Sequence, residues 1–482
     1  MIAFLELAAI ALLSLPTIAT LEAQEPALVP KLALWSRFRG PNGSGVNDGI
    51  GMPRSFELLR WRTPTPSGFS SPVVGEELVF LTAHEGVHSL AIAIDVSNGV
   101  ERWRRRGPRE LPAPQGDVGN NPVSGTPVTD GRHLTVLFGD FGLVSFDAEG
   151  RVRWQRELAP FRAAGGMATS PILCGSQLVL QCDQDLGSYL ASFDVADGRE
   201  QWRTPRVGIA SGFGTPVLRR AVGGTEEIVT ASSHLLAGFD LATGAARWEL
   251  PGYSWLVKAS PIVDGDRIYA TWNSPDLVGV GFRSDLESFA RLLERLDRDR
   301  SGSVERTEFE GEALAAVWDQ LDLDANGALD DREWTLVRRR GTNERALAAH
   351  ELEVIGDGES TFWRHERSAP EFTTPLVYRG RIYTIRDGGV LHVLDATTGK
   401  LLSDRRVPGS TGAFFASPVA ADGVLLLADH GGVLSLLREG DEPELLAQRE
   451  LDEPVIATPA LIPGAFLVRS YRALYCFGAK LR

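Results

Sequence analysis

Gly238-Phe-Asp-Leu-Ala-Thr-Gly-Ala-Ala-Arg-Trp248 is the stretch that decides how this chain folds. An apolar strand ends in Asp240, a turn carries Gly244, and Trp248 follows four residues later. Asp and Gly suit a tight hairpin turn. A Trp at the head of the next strand offers a large ring to fill the space between neighbouring sheets. The same spacing joins Gly99 to Trp103, Gly150 to Trp154 and Gly198 to Trp202.

Working outward, each unit begins with a Ser/Thr-Pro pair and an apolar strand, at Pro72, Pro127, Pro171, Pro216, Pro261, Pro375, Pro418 and Pro459. The intervals are 55, 44, 45, 45, 114, 43 and 41 residues. A second strand such as Glu77-Leu-Val-Phe-Leu-Thr and a third ending in Asp precede the Gly-Trp turn. Four strands in about 45 residues are the pattern of a β-propeller blade. The expectation is an all-β, eight-bladed β-propeller, or seven blades if the last unit is a cap. The unit from Pro459 has room for three strands, and Leu58-Leu-Arg-Trp61-Arg is the expected fourth. Such closure leaves no free sheet edge. In the sixth unit Ser403 stands at the Trp position, and the seventh loses the pattern after Leu437.

The long interval exceeds the others by about 70 residues, and the fifth unit reaches its Trp only at Trp363. An insertion is therefore expected, and it holds the strongest chemical signal. Asp297–Glu308 and Asp322–Glu333 read as twelve-residue calcium loops. Calcium takes six to eight oxygens, supplied from loop positions 1, 3, 5, 7 and 12. The first loop offers Asp297, Asp299, Ser301, the Ser303 carbonyl and Glu308. The second offers Asp322, Asp324, Asn326, the Ala328 carbonyl and Glu333. Gly302 and Gly327 hold position 6, where the turn is sharp, while Val304 and Leu329 at position 8 are expected to pair. The loops start 25 residues apart, leaving room for an exiting and an entering helix. Leu286, Phe289, Leu292, Leu293, Leu296, Phe309, Trp318 and Leu321 recur at helical spacing and would form a small core. Two Ca²⁺ sites are expected. Arg298 and Arg300, between the ligands, would weaken the first.

The Gly238–Trp248 segment resembles the Trp-docking repeat of pyrroloquinoline quinone (PQQ)-type propellers. Trp35-Ser-Arg-Phe-Arg-Gly-Pro-Asn-Gly-Ser-Gly-Val46 resembles the start of exported PQQ-like repeat proteins of bacteria. The loops separately resemble the EF-hand superfamily, so the expected fold is the propeller with an inserted α-helical EF-hand pair. The expected organisation is a signal peptide over 1–24, blades 1–5 with the closing strand over 35–274, the EF-hand pair over 284–340, and the rest of blade 5 with blades 6–8 over 351–482.

The propeller resemblance implies two functional classes. A PQQ-dependent dehydrogenase would hold the quinone and calcium at the propeller centre with carboxylates, an amide and an Asp base. Many such enzymes also use adjacent cysteines, which this chain lacks. The segments before each Ser/Thr-Pro, expected at the channel mouth, contribute only Lys258 and Glu371 as charged groups. Lys258 reads as a lone cation meeting Glu371. The favoured class is a non-catalytic scaffold that binds a protein partner through the propeller faces, as the similar propeller subunit of the outer-membrane assembly machinery does. Arg438-Glu-Gly-Asp-Glu-Pro-Glu is either a partner edge or a solvated turn, and Arg37 and Arg39 are expected to anchor the N-terminal loop to propeller carboxylates.

Over 482 residues the net charge is −14, which argues against nucleic acid or an anionic membrane surface as partner. Residues 1–24 carry an apolar run from Ile10 that resembles a secretory signal, placing the protein in the periplasm or outside the cell. No other stretch is apolar enough to span a bilayer. Cys174, Cys182 and Cys476 lie far from any cleavage site, so a lipoprotein is not expected, and they read as buried free thiols. The eight histidines are spread along the chain and no zinc site is expected from them, although His84-Glu-Gly-Val-His88 carries a His-Glu-x-x-His spacing.

Overall fold

The computed structural model describes residues 35–110, 121–163, 166–184, 187–209, 212–221, 223–254, 257–273, 285–322, 326–340, 345–351 and 361–478. The expected signal segment and the proposed ligand Asp324 lie outside these residues. Among the described residues the strands form eight four-stranded sheets, each antiparallel, and one two-stranded pair. The propeller therefore has eight blades. Strand Leu59–Pro64 pairs with Ala473–Gly478, completing the blade that holds Ala460–Ile462 and Ala465–Arg469. The seventh blade keeps a fourth strand, Glu444–Glu450, although its sequence pattern fades.

Middle strands are buried on both faces, as in Leu134–Phe138 and Gly142–Phe146, because each blade is sandwiched between two others. The outer strands bring the Trp residues to the next blade. Indole N–H groups donate to turn carbonyls of that neighbour: Trp61 to Val96 (3.1 Å), Trp103 to Ala148 (2.8 Å), Trp154 to Val195 (2.9 Å), Trp202 to Leu241 (3.0 Å) and Trp363 to Ala396 (3.2 Å). The turn glycine lies flat on the same ring. A Cβ at Gly198, which has φ +69°, would fall 2.4 Å from Trp154 Cε3. Glycine is thus required twice over, by space and by backbone angle.

Three junctions differ. Trp248 donates to Glu227 Oε2 of its own blade at 3.1 Å, and the turn it would otherwise meet falls within 352–360, outside the described residues. Ser403 and Ala447 stand opposite Val393 and Leu436, where the other blades place Trp. Between blades 6 and 7 polar contacts take over. The N–H of Gly440 donates to Tyr383 Oη at 3.1 Å, and Arg381 pairs with Asp441 (2.6 Å) and Glu439 (3.4 Å). The acidic run after Arg438 is therefore an inter-blade contact.

Residues 35–52 cross one end of the propeller as a strap. Trp35 exchanges backbone hydrogen bonds with Val74, Ser36 accepts from Thr129, and Gly45 and Asn47 bracket Ala420. Asp422 accepts from the N–H groups of Gly49, Gly51 and Met52. Arg37 and Arg39 do not meet carboxylates, contrary to the sequence expectation. Arg37 donates to Pro216 O (2.5 Å), and Arg39 to Gly43 O, Thr374 O and Pro375 O (2.8–3.0 Å). The inner strands begin here with carbonyls turned toward the axis, and a guanidinium with five donors satisfies several at once. Burial lowers Arg39 to about 9 and Arg37 to about 10, so both stay cationic at neutral pH.

In blade 5, His350 is buried against Tyr253, whose hydroxyl lies 2.7 Å from its Nε2. Burial lowers His350 from 6.5 to about 4, so the imidazole is neutral and Tyr253 donates to it.

Two outcomes follow. Gly198→Ala should cost about 2–4 kcal/mol by adding ring overlap to left-handed strain, whereas Gly175→Ala, in open space at φ +60°, should cost only about 1–2 kcal/mol. Urea melts of both variants check the difference. Because the folded state binds fewer protons than the unfolded chain between pH 6.5 and 4, stability should fall as pH drops through that window, by about 3 kcal/mol from His350. The slope over that window should flatten in His350→Gln.

Candidate metal centre and axial channel

The segment between strands Arg267–Asn273 and Arg345–Glu351 of blade 5 carries the acidic loops. Helix α1 (Phe289–Leu296) is capped by Ser288, whose side chain accepts from Arg291 N, and it ends at Asp297. The Oδ2 of Asp297 accepts from Gly302 N at 3.0 Å, and its Oδ1 from Ser301 N at 3.0 Å. Gly302 sits at φ +83°, which turns the chain so that its N–H points inward. Glu308 reaches back, its Oε1 accepting from Arg298 N (2.7 Å) and its Oε2 from Glu305 N (3.3 Å). This folding brings carboxylate oxygens of Asp297, Asp299 and Glu308 within 4.8 Å of one another. Three negative groups so close repel unless a cation lies among them, and oxygen donors suit a hard divalent ion. Among the described residues no other cluster of acidic, His or Cys ligands is this tight. The Glu308 carboxyl lies below its usual range, first through a hydrogen bond shared with Glu305 and then through the Arg298 N–H. Ser301 Oγ is turned to the Ser303 carbonyl (3.2 Å) and to Glu305 Oε1 (3.0 Å).

The second loop repeats this wiring. The N–H of Gly327, at φ +91°, donates to Asp322 Oδ2 at 3.0 Å, as Gly302 does to Asp297. Asp330 N donates to Glu333 Oε2 at 3.1 Å, as Glu305 does to Glu308. Asn326 Oδ1 accepts from Ala328 N at 2.8 Å. Asp322 and Glu333 are buried, and the described part of this loop is completed by helix α2 (Asp331–Arg340). Val304 lies opposite Leu329 in the two-stranded pair that joins the loops. Phe289, Leu292, Phe309, Trp318, Leu321 and Trp334 pack beneath them. The two helices expected between the loops are not found: residues 306–314 are turns, followed by a 3₁₀ helix, Ala315–Gln320. Gly311 at φ +95° interrupts the path an α-helix would take.

At the propeller axis, the Ser/Thr-Pro repeat has a role that its sequence reading as a strand opener did not reveal. At seven of the eight units the backbone N–H of the Ser or Thr donates to the side-chain hydroxyl of the next blade's Ser or Thr. The bonds run Ser71 to Thr126, Thr126 to Ser170, Thr215 to Ser260, Ser260 to Thr374, Thr374 to Ser417, Ser417 to Thr458 and Thr458 back to Ser71, all at 3.0 Å. The Ser and Thr of this ring other than Ser260, the layer three residues before each Pro, and Phe38 of the strap line an axial cavity of about 100 Å³. That layer contains Phe69, Phe213, Phe372, Phe415 and one charged group, Lys258. Lys258 Nζ lies 3.4 Å from Glu371 and 3.8 Å from the Phe372 ring centre. Burial first lowers its pKa, and Glu371 partly offsets this.

The axial cavity does not fit a quinone cofactor. Its volume is below the roughly 300 Å³ at which pockets for drug-sized ligands begin. Among the described residues its lining supplies hydroxyls, phenyl rings and one ammonium, with no carboxylate group to hold an accompanying metal. The cysteines are free and buried, with thiol pKa values raised by burial to about 11 for Cys174 and about 12 for Cys182. No helix among the described residues is long and apolar enough to cross a membrane.

A family profile described as "Outer membrane protein assembly factor BamB" matches residues 58–182 and 115–287. No curated protein sequence matches the chain. Similar solved structures include BamB from Moraxella catarrhalis, at 13% identity and TM-score 0.50 over 83% of this chain and 96% of that one. A europium-containing methanol dehydrogenase is similar at 11% identity and TM-score 0.58, over 93% and 98%. So is the quinohemoprotein alcohol dehydrogenase from Comamonas testosteroni, at 11% identity and TM-score 0.57, over 93% and 81%. At these identities the likeness is one of fold.

Proposed function

We propose that this chain is an exported, calcium-binding propeller that serves the cell envelope as a non-catalytic binding scaffold. The clustering of Asp297, Asp299 and Glu308 is the observation that carries the calcium reading. The matching backbone wiring of the second loop supports it, since both loops aim an N–H at each first-position and twelfth-position carboxylate. Ca²⁺ would take Asp297, Asp299, Ser301, the Ser303 carbonyl and Glu308 in one EF-hand site. Asp322, Asp324, Asn326, the Ala328 carbonyl and Glu333 would serve the other. The ion would neutralise charges that otherwise repel and so fix the loops on their shared core.

The scaffold reading is supported by likeness to a profile described as an outer membrane protein assembly factor, and export by the apolar segment within residues 1–24. A protein partner would dock on the propeller faces. A quinone-dependent dehydrogenase is the weaker reading, because the axial lining offers neither the room nor the acidic donors.

Calorimetric titration of the metal-stripped protein with calcium should give two sites, with dissociation constants on the order of 10⁻⁴ to 10⁻³ M if the module behaves as extracellular ones do. Glu308→Gln combined with Glu333→Gln should abolish the heat and leave the β-sheet circular dichroism unchanged. Titration heat that persists in the double variant would remove the assigned ligands. Loss of the β signal would show that the loops hold up the propeller.

A further inference from the structure

The axial cavity is closed at one end by the strap. Phe38 lines it, and the strap's partners Pro216, Thr374, Pro375 and Ala420 all lie at or beyond the hydroxyl ring. The layer containing Lys258 precedes that ring in every blade, so it lies on the side of the ring away from the strap. A ligand entering there meets Lys258 before it meets the ring.

Two groups of donors in this channel have few acceptors among the described residues. Each bonded ring hydroxyl already accepts a backbone N–H, and no acceptor for its own proton is found among the described residues. Lys258 carries three donors on a side chain only 13% exposed. The carboxylate that reaches it is Glu371, 42% exposed and 3.4 Å away, well beyond the ~2.8 Å of a good charged hydrogen bond, while Asp387 attracts it from farther off. Buried donors left in this state favour an anion. Beside them an arc of rings runs around the mouth. Phe372 and Phe415 are 4.7 Å apart, Phe415 and His430 5.2 Å, His430 and Tyr471 6.2 Å, and Tyr471 and Phe69 5.5 Å.

We propose that this channel binds a small carboxylate with an apolar body, its head group between Lys258 and the hydroxyl ring and its body along the aromatic arc. The cavity of about 100 Å³ is the space of roughly three waters, which suits a head group and leaves the body at the mouth. Glu371 occupies the ammonium weakly when the site is empty and yields to the entering carboxylate. The site is separate from the calcium loops, so its affinity is the same with calcium or with chelator.

Calorimetry of the full chain with benzoate, acetate and inorganic phosphate tests this. Benzoate should bind at one site, more tightly than acetate, which lacks the ring, and than phosphate, which lacks any apolar body. Lys258→Met should weaken benzoate binding about tenfold or more. Glu371→Gln, a change at an exposed position, should tighten it by removing the internal competitor, and this holds as a test even if Lys258→Met folds poorly. The proposal is overturned by absence of benzoate binding, by phosphate binding more tightly than benzoate, by unchanged affinity in Lys258→Met, or by unchanged or weaker affinity in Glu371→Gln.

Discussion

Ring closure is the constraint on which the rest of this molecule depends. Eight sheets can face one another around an axis without an exposed edge only if the last is joined to the first. The strand Leu59–Pro64 does this by hydrogen-bonding into the same sheet as Ala473–Gly478 while its chain runs on into blade 1. Once the ring is shut, every blade has two neighbours. Where both are present, as between blades 1 and 2, the Trp–turn bond at the periphery and the hydroxyl bond at the axis hold the junction at two radii. The strap adds a third set of contacts, reaching blades 1, 2, 4, 6 and 7 through backbone groups and buried guanidinium ions.

Both candidate sites depend on this rigidity in different ways. The axial cavity exists because hydroxyls from successive blades are held at one height, so a shift of one blade would break two bonds and distort the lining. The acidic segment hangs from a single blade, between two of its strands, and has its own apolar core around Phe309 and Trp334. Among the described residues it is also tied to blade 3, where Arg332 Nη2 donates to Val207 O at 2.5 Å.

Much of this was legible in the sequence because the repeat is written in local chemistry. Asp-x-x-x-Gly-x-x-x-Trp is a turn and its packing residue together, and Ser/Thr-Pro marks where a strand starts. Those signals give eight units in order, with seven blades left open until Leu59–Pro64 is seen to complete the last. What the signals hide is the partner. The residue that receives a Trp indole lies about one blade away along the chain, and nothing beside Trp154 names Val195. Arg37 and Arg39 invited carboxylate partners because charge is visible in a sequence and carbonyl direction is not. The helices expected between the loops illustrate the opposite failure. Phe309, Trp318 and Leu321 recur at helical spacing and do share a core, yet turns and a 3₁₀ segment bring them there. Periodicity reports which residues face inward, and Gly311 decides by what path. The carboxylates that cluster in the first loop could be picked out by spacing alone, whereas the axial donors needed distant segments to be superposed.

The closing strand has a consequence for how the chain is made. Arg62 and its neighbour Tyr475 are 413 residues apart. At roughly 5–20 residues per second of synthesis, Leu59–Pro64 waits about 20–80 s for its partner to exist. Throughout that interval it is a nascent β-strand with unsatisfied N–H and C=O groups, open to capture by another copy. Its sequence, Leu-Arg-Trp-Arg-Thr-Pro, places two charges and a terminal proline among the residues that must stay unpaired. Arginine and proline are the residues that discourage intermolecular strand addition. The segment that locks the finished ring is thus also written to remain solitary until the ring can be locked.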